Sequence, residues 1–373
     1  MSQKIRMDSQ DQTSTDAEQS APKGSCQSGG TSAVTEGFPG TRLLQIGLMT
    51  AGLAGAGLLF NSGSQAAPSQ VNKPLETGRA SPSNTKVQTR PIRLVSLAPS
   101  NTELLAALGA TDHLVGVCTY CDYPQQVSSI TRVGTFVSAN LERLARLKPD
   151  AVLLVSGQEH LEAVLKHNNF RTLVLKNNHL NDIGLNIKEL ARLVGKEGKG
   201  EALAKNLEDS MDSFHNIIGS AKRKPRVFYC VWPKPLMTVG KNSFLDGVIT
   251  ACGGTNIASE LEAAYPSYNA EKLLLAQPDV IIMPYEARKQ EFLKQSPWKN
   301  LKAVKNGQVY FQPEPRCDML ARPTVRILDG LAWLGEKLHP ELASNLSAWH
   351  KNSQQLTRTA STVTPLVTQA TLR

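Results

Sequence analysis

One arrangement of apolar and polar positions occurs twice along this chain. At Asn140-Leu141-Glu142-Arg143-Leu144-Ala145-Arg146-Leu147-Lys148-Pro149-Asp150 a short helical pattern stops and runs into the apolar stretch 151–155. At Asn269-Ala270-Glu271-Lys272-Leu273-Leu274-Leu275-Ala276-Gln277-Pro278-Asp279 the same offsets of Asn, Glu, Pro and Asp recur, followed by 280–283. Asn caps a helix by accepting a first-turn N–H, and the acid two residues on suits the positive helix end. Pro-Asp ends the helix, because the residue before Pro is biased away from the helical region. The apolar run that follows is too short for a helix and fits a strand buried on both faces. A helix–stop–buried strand unit used twice predicts two similar α/β lobes.

The flanking pattern extends this reading. Strands are predicted at 93–97 and 114–117, with a loop at 98–103 and a helix over 104–108 that stops at Gly109. The second strand ends in a loop rich in Tyr and Cys, Cys118-Thr119-Tyr120-Cys121-Asp122-Tyr123-Pro124. Apolar residues at helical spacing predict a shorter helix after 180 and a long one over about 199–220, ending before Lys224-Pro225. Strands at 226–231 and 309–310 and helices at 244–250 and 324–338 complete the second half. The fold class is α/β: two similar lobes with mainly parallel sheets, joined by one long rigid helix, with a ligand cleft between the lobes. In such sheets ligands sit beyond the carboxyl ends of the strands. Ser100, Tyr120, Tyr123 and Phe136 are expected in those loops, where aromatics suit a large, partly apolar ligand. The loop 232–235 follows the first strand of the second lobe and begins with Trp232.

Residues 1–42 are polar, almost free of large apolar residues, and expected to be disordered. Residues 43–60 are an uncharged apolar run followed by small residues, the order of a secretory signal with cleavage near Gln65 to Ala67. The alternative is an N-terminal membrane anchor, since about 18 residues is near the lower limit for spanning. Cys26 has no apolar run before it, so no lipoprotein signal is read. A linker over 61–90, a first lobe over 91–180, connecting helices over 181–224, a second lobe over 225–345 and a disordered tail over 346–373 follow from composition and period. The expected location is the periplasm, by export.

Composition narrows the function. At 373 residues, 40% apolar and 20% charged, the chain is globular and long enough for two cores. The net charge of +9 is scattered, with no basic run interleaved with aromatics, which argues against nucleic acid. Six cysteines are too few for a disulfide scaffold at this length. Cys118-x-x-Cys121 follows a strand, as a redox pair can, but Asp122-Tyr123-Pro124 breaks the helix that should start there. There is no second CxxC for a zinc site. In an exported protein the two form a disulfide or stay as loop thiols. No Ser-His-Asp order, phosphate loop or cluster of the seven histidines points to a catalytic or metal site.

The segments LVSLAPSNTELLAALGA, VGVCTYCDYPQQ, NLERLARLKPDAVLL and PLMTVGKNSFLDGVITACGGTNIA, followed by the second repeat, resemble a family. It is that of the periplasmic substrate-binding proteins of ABC importers, which carry vitamin B12, ferric siderophores and haem. The resemblance covers about 91–338 and is nearest to the cobalamin binders. It implies a monomer that binds cobalamin or a related corrinoid as transported ligand, uses no cofactor and delivers to a membrane permease dimer. Tyr123 is similar to the family's corrin-contacting tyrosine. Phe136 stands where cobalamin binders have a tryptophan, Val155 where they have another, and Tyr265 where they have a third cleft tryptophan. Asp318 and Arg322 match an Asp and an Arg that face the ligand. Glu142 and Glu271 match the glutamates that dock on permease arginines, one per lobe; independently, two carboxylates at equivalent helix starts make a pair of handles for a two-fold partner. Cys252 lacks the partner in the last helix to which the cobalamin binders bond it. The competing readings are a ferric siderophore or haem carrier of the same fold, with Tyr120 and Tyr123 as haem ligands, and a thiol-dependent enzyme or sensor using Cys118, Cys121, Cys230 and Cys317.

Overall fold

The structure, a computed structural model, describes residues 90–289, 291–313 and 319–359. The run at 43–60, the linker, Cys26, Cys317 and Asp318 lie outside the described residues.

The first sheet has the order β3-β2-β1-β4-β5. Its strands are β1 (Leu94–Ser96), β2 (Leu114–Cys118), β3 (Arg132–Gly134), β4 (Ala151–Val155) and β5 (Thr172–Leu175). Every neighbouring pair is parallel. All five residues of β4 are buried, which is why its sequence reads as an unbroken apolar run. The crossovers carry helices α1 (Pro99–Ala107), α2 (Leu141–Leu147) and α3 (Glu159–His167). Helix α1 starts five residues earlier than its sequence predicts, so Ser100 lies in its first turn and not in a loop. Pro99 is the reason: its fixed φ and missing N–H suit the first helical position.

The connecting helices are α4 (Leu180–Leu193) and α5 (Glu197–Ile218). The 22 residues of α5 make a rod of about 33 Å. It buries Leu203, Leu207, Phe214 and Ile218.

The second sheet has the order β10-β9-β6-β7, with β8 also on β6. Its strands are β6 (Arg226–Pro233), β7 (Leu236–Thr238), β8 (Thr255–Asn256), β9 (Val280–Met283) and β10 (Val309–Phe311). Pairing is parallel except between β6 and β7. That antiparallel hairpin prolongs β6, so Trp232 sits in the strand opposite Met237 instead of in a loop. Cys230, a candidate thiol of the enzyme or sensor reading, is inside β6 and fully buried. Helices α6 (Phe244–Ala251), α7 (Ala270–Ala276) and α8 (Lys302–Lys305) flank this sheet.

The last helices among the described residues are α9 (Ile327–Leu338) and α10 (Ala343–Thr359). Helix α10 occupies much of the tail expected to be disordered from 346. Composition misleads there, because Leu342, Leu346, Trp349 and Ser353 fall on one helical face and are all buried. Trp349 packs on Phe214 with ring centroids 4.8 Å apart and donates its indole N–H to the Ser210 carbonyl at 2.9 Å.

The repeated unit folds twice in the same way. Asn140 accepts from the Arg143 N–H, and Asn269 from those of Glu271 and Lys272. Each helix ends on a left-handed residue, Lys148 (φ 46°) or Gln277 (φ 42°), immediately before the proline. Asp150 then accepts from the Arg93 N–H at 2.7 Å and Asp279 from the Arg226 N–H at 3.0 Å. The same two arginines donate their guanidinium N–H groups to the Leu147 and Ala276 carbonyls. Each unit thus ties the end of its helix to the start of the lobe's central strand.

Candidate ligand-binding site

Because the first sheet is parallel, β1, β2, β3 and β4 all end on one edge, and the segments that leave them meet there. Ala98, Phe136 and Val155, one from each of three strand exits, form a buried apolar cluster with Tyr120 and Val137 against it. Gln158 holds this floor together. Its side-chain oxygen accepts from the Val155 N–H at 2.8 Å, and its amide donates to the Leu97 carbonyl at 3.2 Å and to the Phe136 carbonyl. Phe136 is aimed by a tight turn: Thr135 donates its N–H to the Ser138 carbonyl at 2.8 Å, and its hydroxyl accepts from the N–H groups of Val137 and Ser138. Gly134 opens that turn at φ +155°, where a Cβ would run into the Ser138 carbonyl.

The second lobe contributes aromatics from its own sheet margin. Trp232 and Tyr265 are half-buried against the main core. Burial pushes the Tyr265 phenol up to about 12, so it is a neutral hydroxyl at any physiological pH.

The lobes meet at a buried ion cluster. Glu103, in α1, is 2% exposed and accepts three hydrogen bonds from the other lobe. Arg326 binds it bidentately, Nε at 2.9 Å and Nη2 at 2.8 Å. Arg322 donates one Nη1 to Glu103 and to Asp122, each at 2.8 Å. The Arg326 guanidinium also lies 3.9 Å over the Tyr123 ring. Burial alone would lower the Arg326 pKa, but the Glu103 carboxylate outweighs it and holds the pKa above its ordinary value. Among the described residues two cations face two anions here, and each buried charge has an opposite charge within hydrogen-bond distance.

Tyr123, Phe136 and Val155 lie at the ends of β2, β3 and β4 of one sheet, and Phe136 and Val155 share one apolar cluster. Arg322 is 5% exposed and turned onto carboxylates. Glu103, Asp122, Arg326 and Gln158 are the residues that sequence reasoning misses. One signal was available: Asn101-Thr102-Glu103 is a polar triplet opening an otherwise apolar helix, and buried polar groups require partners. Asn101 donates to the Leu154 carbonyl and Thr102 to Ser96, which accounts for the other two.

Glu142 and Glu271 lie in the first turns of α2 and α7 and are exposed. Glu142 is bridged by Arg146 at 2.5 Å, whereas Glu271 makes no ion pair among the described residues. Cys118 and Cys121 are fully buried, with sulfurs 3.3 Å apart. Cys252 is a free, buried thiol whose pKa burial pushes up. Two grooves, of about 800 and 600 Å³, run along α5, and none of the strand-end residues lines either.

A family model described as periplasmic binding protein matches residues 94–315. The vitamin B12-binding protein of Vibrio cholerae is 31% identical over 241 residues, which cover 64% of this chain and 86% of that one. The crystal structure of the periplasmic vitamin B12 binding protein of Vibrio cholerae aligns at a TM-score of 0.59 and 28% identity, covering 71% of this chain and 98% of that one. A periplasmic haem-binding protein from Roseiflexus sp. RS-1 shares the fold at a TM-score of 0.58 and 20% identity, over 71% of this chain and all of that one (100%). The chain belongs to the periplasmic binding protein family and is an ABC-type substrate-binding protein, not an enzyme. Its homologues are periplasmic or lipoprotein binding proteins, and no helix among the described residues is long and apolar enough to cross a membrane.

Proposed function

We propose that this member of the periplasmic binding protein family captures cobalamin between the carboxyl ends of its two sheets and delivers it to the dimeric permease of an ABC importer. The observation that carries this reading is the apolar floor of Ala98, Phe136 and Val155 at the strand ends, with Tyr120 packed against it. A corrin ring is broad and apolar on its faces and fringed with amides. Phe136 and Tyr123 from the first lobe and Trp232 and Tyr265 from the second supply the flat apolar walls. Asp318 accepts from ring-edge amides. Arg322 serves the site indirectly, holding Asp122 and Glu103 so that the Tyr123 loop keeps its place. The likeness to relatives named for vitamin B12 supports cobalamin over other large ligands.

In this reading Glu142 and Glu271 are the two handles for the permease, because the repeat sets one on the same helix turn of each lobe. The apolar run at 43–60 serves export, and the protein acts as a monomer in the periplasm.

Calorimetric titration of the purified protein with cyanocobalamin, haem and a ferric siderophore tests the assignment. One-to-one binding of cobalamin alone, weakened at least tenfold by Tyr123→Ala, is the expected result. A folded protein that ignores cobalamin and binds haem or the siderophore would overturn it.

A further inference from the structure

The cleft reading leaves Cys118 and Cys121 unused. Buried cysteines are ordinarily small inert hydrophobes. Cys230 and Cys252 fit that description: each is fully buried, and neither is hydrogen-bonded to another sulfur among the described residues. The Cys118–Cys121 pair differs in three respects. Its sulfurs are 3.3 Å apart. Cys121 donates its N–H to the Cys118 carbonyl at 3.2 Å, so the four residues form a turn whose end Cα atoms lie within about 7 Å, the range a disulfide spans. The turn is also held from outside: Arg132 donates to both cysteine carbonyls, at 3.2 and 2.8 Å, and the Thr102 hydroxyl lies 3.1 Å from the Cys121 sulfur.

We propose that Cys118 and Cys121 are a disulfide site: in an oxidising compartment they close to a covalent staple across the turn that carries Asp122 and Tyr123. The sulfurs need only approach from contact to a bond of about 2.05 Å, a small change beside a side-chain rotation. The co-reactant is a disulfide, from a small molecule or a thiol oxidoreductase. The Cys118 thiolate attacks one sulfur of that disulfide, its S–S bond breaks, and one thiolate leaves. The Cys121 thiolate then attacks the Cys118 sulfur of the mixed disulfide and expels the second. The two cysteine protons pass to the two leaving thiolates, so the protein loses two electrons and two protons and the donor becomes two thiols. Because both sulfurs are covered in the folded chain, the exchange takes place while the turn is still open during folding.

The staple braces the first lobe's side of the interlobe clasp. Asp122, the next residue, accepts from Arg322, and Tyr123 lies under Arg326. The inference is independent of which cargo the cleft holds.

Refolding the full-length chain from denaturant in a glutathione buffer, oxidised or fully reduced, tests it. Thiols are then alkylated under denaturing conditions and peptides weighed. The tryptic peptide spanning 94–132 contains both cysteines and no others. After oxidation it should be unalkylated and lighter by two hydrogens, while the peptides of Cys230 and Cys252 stay alkylated. The oxidised protein should unfold about 3 °C higher than the reduced one, as expected for a short loop closed by a crosslink. Cys118→Ser and Cys121→Ser should each leave the remaining cysteine alkylated and remove that shift. Wild-type protein that regains its fold in oxidised buffer with both cysteines alkylated, or with either joined to a different cysteine, would overturn the proposal.

Discussion

Helix α2 of the first lobe and helix α7 of the second start from an asparagine cap, bury one leucine and end on a left-handed residue before Pro-Asp. Their outer faces differ. One turn beyond Glu142 stands Arg146, which bridges it; one turn beyond Glu271 stands Leu275, 85% exposed. The inward positions are fixed by what they tie together: Arg93 and Asp150 in one lobe, Arg226 and Asp279 in the other, each pair joining helix end to central strand. The outward positions take no part in these ties, and in the proposed function they are the ones that face the permease. The sheets diverge in the same sense. The first is wholly parallel and gathers its strand exits into an apolar floor, whereas the second folds β6 back through an antiparallel hairpin and offers Trp232 from a strand. Among the described residues one lobe supplies carboxylates to the clasp and the other supplies guanidiniums.

Several substitutions break or sharpen this contrast. Reversing both handles, Glu142→Lys with Glu271→Lys, should abolish uptake in cells while calorimetric affinity for the cargo stays unchanged. Uptake at the wild-type rate would remove the docking role from these helices. Within the protein the largest effect is expected at Glu103, because one carboxylate serves two guanidiniums. Glu103→Ala removes both hydrogen bonds of Arg326 to the opposite lobe and one from Arg322, which keeps Asp122, and should cost about 3–5 kcal/mol in chemical denaturation. Arg322→Ala should cost less, since Arg326 still satisfies Glu103 through two bonds. Equal losses would mean that the clasp is not organised around Glu103. The caps should behave alike despite the different outer faces. Asn140→Ala and Asn269→Ala are each expected to cost about 1 kcal/mol, read as a fall of roughly 2–4 °C in melting temperature. A loss at only one would show that the two units are not equivalent in energy.

The smallest effect concerns acid. The hydrogen bond from Arg90, with help from the Arg93 N–H, holds the Asp150 carboxyl below the usual carboxylate range. A depressed carboxylate contributes stability above its unfolded value of about 4 and loses it as pH falls through the lower folded value. Asp150→Asn should therefore melt slightly below wild type at neutral pH, and the two melting curves should converge in acid. A gap that widens on acidification would contradict the assignment.

Much of this architecture is legible in the chain because its determinants are local. The caps, the Pro-Asp stops, the apolar strands β4 and β9 and the connecting helices all lie within short windows of sequence. Helix α1 and the prolonged strand β6 are misjudged at their ends, where a proline and a hairpin partner decide the boundary. Helix α10 is hidden by polar composition, although its buried stripe is present in the spacing. The clasp is the part that local reading cannot reach. Glu103 and Arg326 are 223 residues apart, and Asp122 and Arg322 are 200 apart. Nothing near any of them states which charge will answer it, whereas Phe136 and Val155 are placed together by the parallel order of the sheet.

In the proposed function, cargo is held between the strand ends of both lobes. Hydrogen–deuterium exchange of the protein with and without saturating cyanocobalamin tests it most directly. The predicted result is added protection at 119–124 and 134–138 in the first lobe together with 232–236 and 264–268 in the second, with exchange in α4 and α5 unchanged. Protection confined to one lobe, or centred on the grooves along α5, would contradict it.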